Sequence, residues 1–259
     1  MNLNLDNKVI IVSGGSKGIG LGIVNSLVKE KAIPFIIGRD KKSIQSVVKK
    51  HKLEGHQINY FIAELTNPKE CQNAVKEVIN IHNRIDGIIN NAGDNDGVSL
   101  ENGNYQDFVS SLHKNLIHYY LIAHYSLSSL KKSKGVIINI GSKTSFTGQG
   151  GTSGYAASNG ARNSLTREWA VELLPFDIRV NSVIVAECYT PMYKRWITTQ
   201  ENPELKLEKI NKRIPFQNRM TTVEEIADTV IFLLSDKSSH TTGQLIFVDG
   251  GYTHLDRAL

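Results

Sequence analysis

An α/β fold built on one doubly wound, seven-stranded parallel sheet with helices on both faces is what the sequence predicts, and three observations predict it. Short β-branched apolar runs alternate with amphipathic stretches of helical period along the chain, the pattern of repeated βαβ units. A glycine-rich turn, Gly14-Gly15-Ser16-Lys17-Gly18-Ile19-Gly20, joins the first strand candidate directly to a helix. No Pro/Gly/Ser-rich linker and no internal repeat interrupts the series, so the 259 residues are expected to form a single domain.

The elements follow in order. Residues 9–13 read Val-Ile-Ile-Val-Ser, apolar on both faces as an interior parallel strand must be. Ile19, Ile23, Leu27 and Val28 then mark the buried face of a first crossover helix. Strands are expected at 34–37 and 58–62, and Cys71, Ala74, Val75, Val78 and Ile79 mark a second helix face. A strand at 87–90 precedes a long helical stretch at 105–131, and a strand at 135–140 precedes another at 153–174. Both stretches carry apolar residues all round, as helices with two buried faces do. The last strands are expected at 179–185 and 244–248. Between them, at about 191–215, lies a polar insert with an amphipathic middle, placed where a lid over a substrate site would sit.

Composition narrows the function. With 40% hydrophobic and 21% charged residues, the chain can bury a full core and is not a disordered segment. The net charge of +5 is dispersed, in small clusters such as Lys41-Lys42, Lys49-Lys50 and Lys131-Lys132. These read as solvated helix ends without interleaved aromatics, so no nucleic-acid partner is expected. Apolar runs fall far short of the roughly 20 residues that span a bilayer, so no membrane partner is expected. The opening Met1-Asn2-Leu3-Asn4-Leu5-Asp6 has no export pattern, and a cytoplasmic location is expected. Cys71 and Cys188 lack metal-ligand spacing, so neither a disulfide nor a metal site is expected.

The glycine turn carries the first chemistry. In it Gly14, Ser16, Lys17, Gly18, Ile19 and Gly20 let the backbone approach a pyrophosphate at a helix N-terminus, where free N–H groups and the dipole favour an anion. The strand before it and the helix after it separate this reading from that of an unliganded tight turn. At the end of the second strand, Arg39 together with Lys17 suits a 2′-phosphate and hence NADP. The alternative is NAD, with Arg39 a solvated loop cation and Asp40 bonding the ribose hydroxyls.

The glycine turn, Asn90-Asn91-Ala92-Gly93, Asn115, Ser142, and Tyr155 thirteen residues further on resemble, in that order, the short-chain dehydrogenase/reductase family over essentially the whole chain. The resemblance implies a Rossmann fold, a homotetramer and a nicotinamide cofactor. It places Asn91, Ala92 and Gly93 beside the adenosine, Glu64 where an acidic residue contacts the adenine, and Thr190 in the cofactor-binding set. It makes Tyr155 the acid/base, Ser142 the hydrogen-bonding partner of the substrate oxygen and Asn115 the holder of a relay water.

One residue departs from that pattern: the family's Tyr-x-x-x-Lys appears as Tyr155-Ala156-Ala157-Ser158-Asn159. A lysine one helical turn after the tyrosine would hold the nicotinamide ribose and favour the phenolate, whereas asparagine offers a hydrogen bond without charge. An engineered substitution, a slow or alkaline-shifted natural enzyme, and a cofactor-binding protein without catalysis all fit Asn159. Lys143, adjacent to Ser142, is a conceivable substitute for that lysine, although it is expected to point the opposite way from Ser142, as neighbours on a strand end do.

Longer blocks narrow the resemblance to the L-fucose dehydrogenase branch: Asn115-Leu116-Ile117-His118-Tyr119-Tyr120, Ser142-Lys143-Thr144 through to Tyr155, Leu165-Thr166-Arg167-Glu168-Trp169, and the tail Val248-Asp249-Gly250-Gly251-Tyr252-Thr253-His254-Leu255-Asp256-Arg257-Ala258-Leu259. This implies oxidation of the anomeric carbon of L-fucose or a similar aldose to a lactone. Asn95, Gln149, Glu187, Tyr189 and Trp196 join Ser142 and Tyr155 as substrate candidates, since sugar recognition pairs planar hydrogen-bonding groups with an aromatic face. The tail from Tyr252 is expected to reach a neighbouring subunit's pocket. A 3-oxoacyl or hydroxysteroid-type reductase and a catalytically silent cofactor-binding protein are the alternatives, because a fold does not fix a substrate.

Overall fold

The computed structural model describes residues 2–255. Its strands are β1 (Val9–Ser13), β2 (Ile33–Gly38), β3 (Asn59–Ile62), β4 (Gly87–Asn90), β5 (Val136–Ser142), β6 (Arg179–Val185) and β7 (Leu245–Val248), in the order β3-β2-β1-β4-β5-β6-β7. Every pairing is parallel, as the sequence predicts. Three strands match their expected bounds and four shift by one or two residues. The consequential shift is in β5, which continues to Ser142 because Ser142 stays in register with Val185 of β6.

The two faces of β1 feed separate cores. Ile10 and Val12 pack with Val24 and Leu27 of α1 (Gly18–Lys29), Ile44 and Val48 of α2 (Lys41–Leu53), and Ile226 and Val230 of α9 (Val223–Leu234). Val9 and Ile11 pack with Val75 and Val78 of α3 (Pro68–His82), Tyr119 and Ile122 of α5 (His118–Ser133), and Trp169 of α6 (Ser153–Glu172). Each such side chain taken fully out of water contributes roughly 1.5–3 kcal/mol.

The stretch expected as one helix at 105–131 is three pieces: α4 (Tyr105–Leu112), a π-helical turn at His113–Ile117, and α5. The wide turn carries the fully buried Asn115. The expectation of apolar faces all round is also corrected, because Ser158, Asn159, Arg162, Asn163 and Thr166 form a buried polar stripe along α6. Hydrogen bonds make that burial tolerable. Asn139 donates to Thr166 Oγ1 at 3.0 Å and accepts from Asn90 Nδ2 at 3.0 Å. The insert after β6 folds into α7 (Pro191–Ile197) and α8 (Pro203–Lys212), anchored by the buried Ile197 and Ile214. Among the described residues no helix is long and apolar enough to cross a membrane, and both cysteines are free and buried.

Candidate active site

The strand order reverses direction between β1 and β4, and the turns that follow these strands meet there, where an open α/β sheet has its crevice. Ser13 Oγ accepts from the amides of Asn91 (2.9 Å) and Ala92 (3.1 Å), while Asn91 Nδ2 donates to the carbonyls of Ser13 and Gly14. The glycine turn is thereby fixed against the Asn-Asn-Ala-Gly segment.

The turn passes a test of fit for a dinucleotide. Gly14 and Gly18 have φ of +69° and +53°, a region that favours glycine, and a Cβ on Gly20 would collide with the Gly14 carbonyl. Lys17 precedes α1 without a side-chain cap, so the first amides of the helix face the crevice uncapped by any side chain. Thr190 closes the other side, since a Cβ on Gly18 would lie 3.2 Å from its methyl.

Beyond the end of β2 each cation has a carboxylate. Lys17 Nζ lies 2.5 Å from Asp40 Oδ2, and Arg39 NH1 lies 3.0 Å from Glu64 Oε2. Asp40 also caps α2, accepting from the Ser43 amide and hydroxyl. The Lys17 hydrogen bond, with these caps, holds its carboxyl far below the usual range. For Glu64 burial raises the pKa, but Arg39 and the Thr66 amide leave it lowered.

Ser142 ends β5 buried, and Thr144 donates to its Oγ from backbone and side chain. Tyr155 lies in the first turn of α6 and Asn159 one turn later, with Asn159 Nδ2 donating to the Tyr155 carbonyl at 2.9 Å. Asn115, expected to hold a relay water, is engaged throughout. Its Oδ1 accepts from the Asp94 amide (2.8 Å), its Nδ2 donates to the carbonyls of Asp94 and Ser111, and its carbonyl accepts from Arg162.

Lys143 directly follows β5. It is the first residue of a 3₁₀ turn rather than a strand residue, and its buried ammonium pairs with Glu187. Its Nζ also sits 3.9 Å from the centre of the Tyr252 ring. Tyr193 packs between Tyr189 and Trp196, at ring-centre distances of 6.1 and 5.1 Å. Burial, with the Glu187 carboxylate beside it, pushes the Tyr193 phenol up. Glu187, Tyr189 and Trp196 are therefore brought together. Asn95 and Gln149 stand on exposed loops, and no hydrogen bond ties either to Ser142, Tyr155 or Glu187. The described part of the tail folds onto its own chain, with His254 4.2 Å from Phe247 between ring centres. Asp256, Arg257, Ala258 and Leu259 lie outside the described residues.

Sequence reasoning missed Tyr193 and Arg162. Tyr193 lies three residues before Trp196 on α7, and Arg162 lies three after Asn159 on α6. Helical spacing was the available signal in both cases.

Comparison with known proteins agrees with this geometry. The family model described as enoyl-(acyl carrier protein) reductase matches residues 14–253. The 3-oxoacyl-(acyl-carrier-protein) reductase of Thermotoga maritima is 30% identical over 250 residues, covering 96% of this chain and 99% of its own length. The L-fucose dehydrogenase of Bos taurus is 29% identical over 252 residues, covering 97% and 91%. A crystal structure of Cj0485 dehydrogenase superposes with a TM-score of 0.94 at 43% identity, covering 100% of this chain and 99% of its own. With the family match spanning nearly all of a chain whose glycine turn opens the crevice of a parallel sheet, this protein belongs to the short-chain dehydrogenase/reductase family of nicotinamide-dependent oxidoreductases.

Proposed function

We propose that this protein oxidises the anomeric carbon of L-fucose or a similar aldose to a lactone, with NADP as the preferred acceptor. The observation that carries the reading is the buried Lys143–Glu187 pair, with Tyr252 against its ammonium and Tyr193, itself packed on Tyr189 and Trp196, beside its carboxylate. Buried charge beside aromatic faces suits a ligand covered in hydroxyls and is poorly matched to an acyl chain or a steroid. The likeness to the bovine L-fucose dehydrogenase supports the same class.

The bound nicotinamide supplies the hydride acceptor. Tyr155 takes the proton of the anomeric hydroxyl, and Ser142 steadies the oxygen as charge develops on it. Glu187 accepts from sugar hydroxyls, with Asn95 and Gln149 as further contacts from the exposed loops. Asn91, Ala92 and Gly93 bear on the adenosine side with Glu64, and Thr190 lies beside the phosphate turn. The preference for NADP rests on Arg39 and Lys17. Their exposed carboxylate partners hold them weakly enough for a phosphate to compete. Asp40, occupied by the α2 cap, is a poor ribose ligand for NAD. A homotetramer in the cytoplasm fits the family resemblance.

A second reading, a 3-oxoacyl reductase, is favoured by the name of the Thermotoga relative. One assay separates them. The purified protein is given NADP+ or NAD+ with a panel of aldoses, and separately NADPH with a 3-oxoacyl thioester, while absorbance of the reduced cofactor is followed. Turnover of L-fucose with NADP+ is expected, and thioester reduction without aldose oxidation would overturn the reading.

A further inference from the structure

We propose that Arg162 is the fixed positive charge of this active site, a positioning residue that orients Asn159 and the Asn115 carbonyl where a lysine at 159 would have brought an ammonium. The inference rests on the dehydrogenase reading above. Arg162 is 3% exposed, and among the described residues no carboxylate lies within ion-pair distance of it. A buried cation without a counter-charge is costly, and its hydrogen bonds show where the charge is held. Nε donates to the Asn115 carbonyl at 2.6 Å and NH2 donates to the same oxygen. NH1 donates to the Ile140 carbonyl at 3.1 Å and to Asn159 Oδ1 at 3.0 Å. The guanidinium carbon stands 4.2 Å from the centre of the Tyr119 ring.

These contacts fix Asn159. A guanidinium only donates, so the amide oxygen must face Arg162 and the NH2 group must face the other way. One of its N–H groups reaches the Tyr155 carbonyl, and the second remains for a ligand beside Tyr155. Residues 155, 159 and 162 follow the spacing of one helix face. The charge also borders the cofactor segment, because a Cβ on Gly93 would lie 3.2 Å from Arg162 NH2 and 2.8 Å from Asn115 Oδ1. The titratable groups that interact with Arg162 are His118 and Tyr119, neither of them anionic in its ordinary form.

Three variants test this: Arg162→Met, Asn159→Lys, and the double variant that moves the charge back one turn. Arg162→Met is expected to lower kcat about 100-fold on L-fucose with KM changed by less than about threefold. Asn159→Lys alone, with two cations side by side, is expected to lower the melting temperature. The double variant is expected to recover kcat and NADPH affinity to within about tenfold of the parent, a non-additivity that a packing role would not give. If Arg162→Met does not fold, Arg162→Gln, which keeps hydrogen bonds without charge, replaces it in the cycle. Parental kcat and NADPH affinity in a folded, charge-free variant, or additive effects in the double variant, would overturn the proposal. An absence of sugar turnover in the parent with a non-additive NADPH and melting cycle would remove the aldose reading and support this one.

Discussion

Glu187 and Lys143 meet as a buried ion pair directly after the strand that ends in Ser142, with the ring of Tyr252 against the ammonium. Removing one partner leaves the other charge uncompensated, so Lys143→Met is expected to cost roughly 3–5 kcal/mol in urea unfolding, and the double Lys143→Met/Glu187→Gln less. Glu187→Gln should raise KM for L-fucose about tenfold or more while NADPH affinity holds. An unchanged KM would remove Glu187 from the substrate site.

Tyr155→Phe deletes the proposed proton acceptor and little else. The expected loss in kcat is about 10²–10⁴-fold, with NADPH binding retained. Single-turnover kinetics would separate this from a defect in product release.

Arg39→Ser should lower the preference for NADP over NAD, read as the ratio of kcat/KM values, by about tenfold or more. Added salt should weaken NADP binding more than NAD binding, since the exposed Arg39 is screened. Equal salt dependence for the two cofactors would count against a phosphate contact.

His118 makes stability depend on pH. Its Nε2 donates to the Lys114 carbonyl at 3.0 Å, and burial, aided by Arg162, pushes its pKa from 6.5 down to about 3. The unfolded chain therefore takes up a proton at this site between pH 6.5 and about 3 while the folded chain does not. Stability at this site is full above 6.5 and is lost as pH falls through that window, by a few kcal/mol in order of magnitude. His118→Gln, followed by urea titrations across acid pH, should flatten the slope.

Truncation after Gly251 removes the Tyr252 ring from Lys143 and His254 from Phe247. KM for the sugar is expected to rise with little change in NADPH affinity. Unaltered kinetics would take the tail out of the site.

Much of this was legible in the chain itself. The apolar run Val9–Ser13 could bury both faces only inside a parallel sheet, and the glycines after β1 could form only a tight, backbone-exposing turn. Periodicity failed where polar groups are buried. It reads His113–Ile117 as more helix, because a π turn changes hydrogen bonding without changing composition.

The sequence by itself determined the sheet, the crevice at its strand ends and the absence of a lysine at 159, since these depend on local pattern and residue identity. Only the tertiary structure decided where compensating charge resides. Arg162 comes to Asn115 across 47 positions of chain and Lys143 to Glu187 across 44, and such pairings arise from packing that no local window contains.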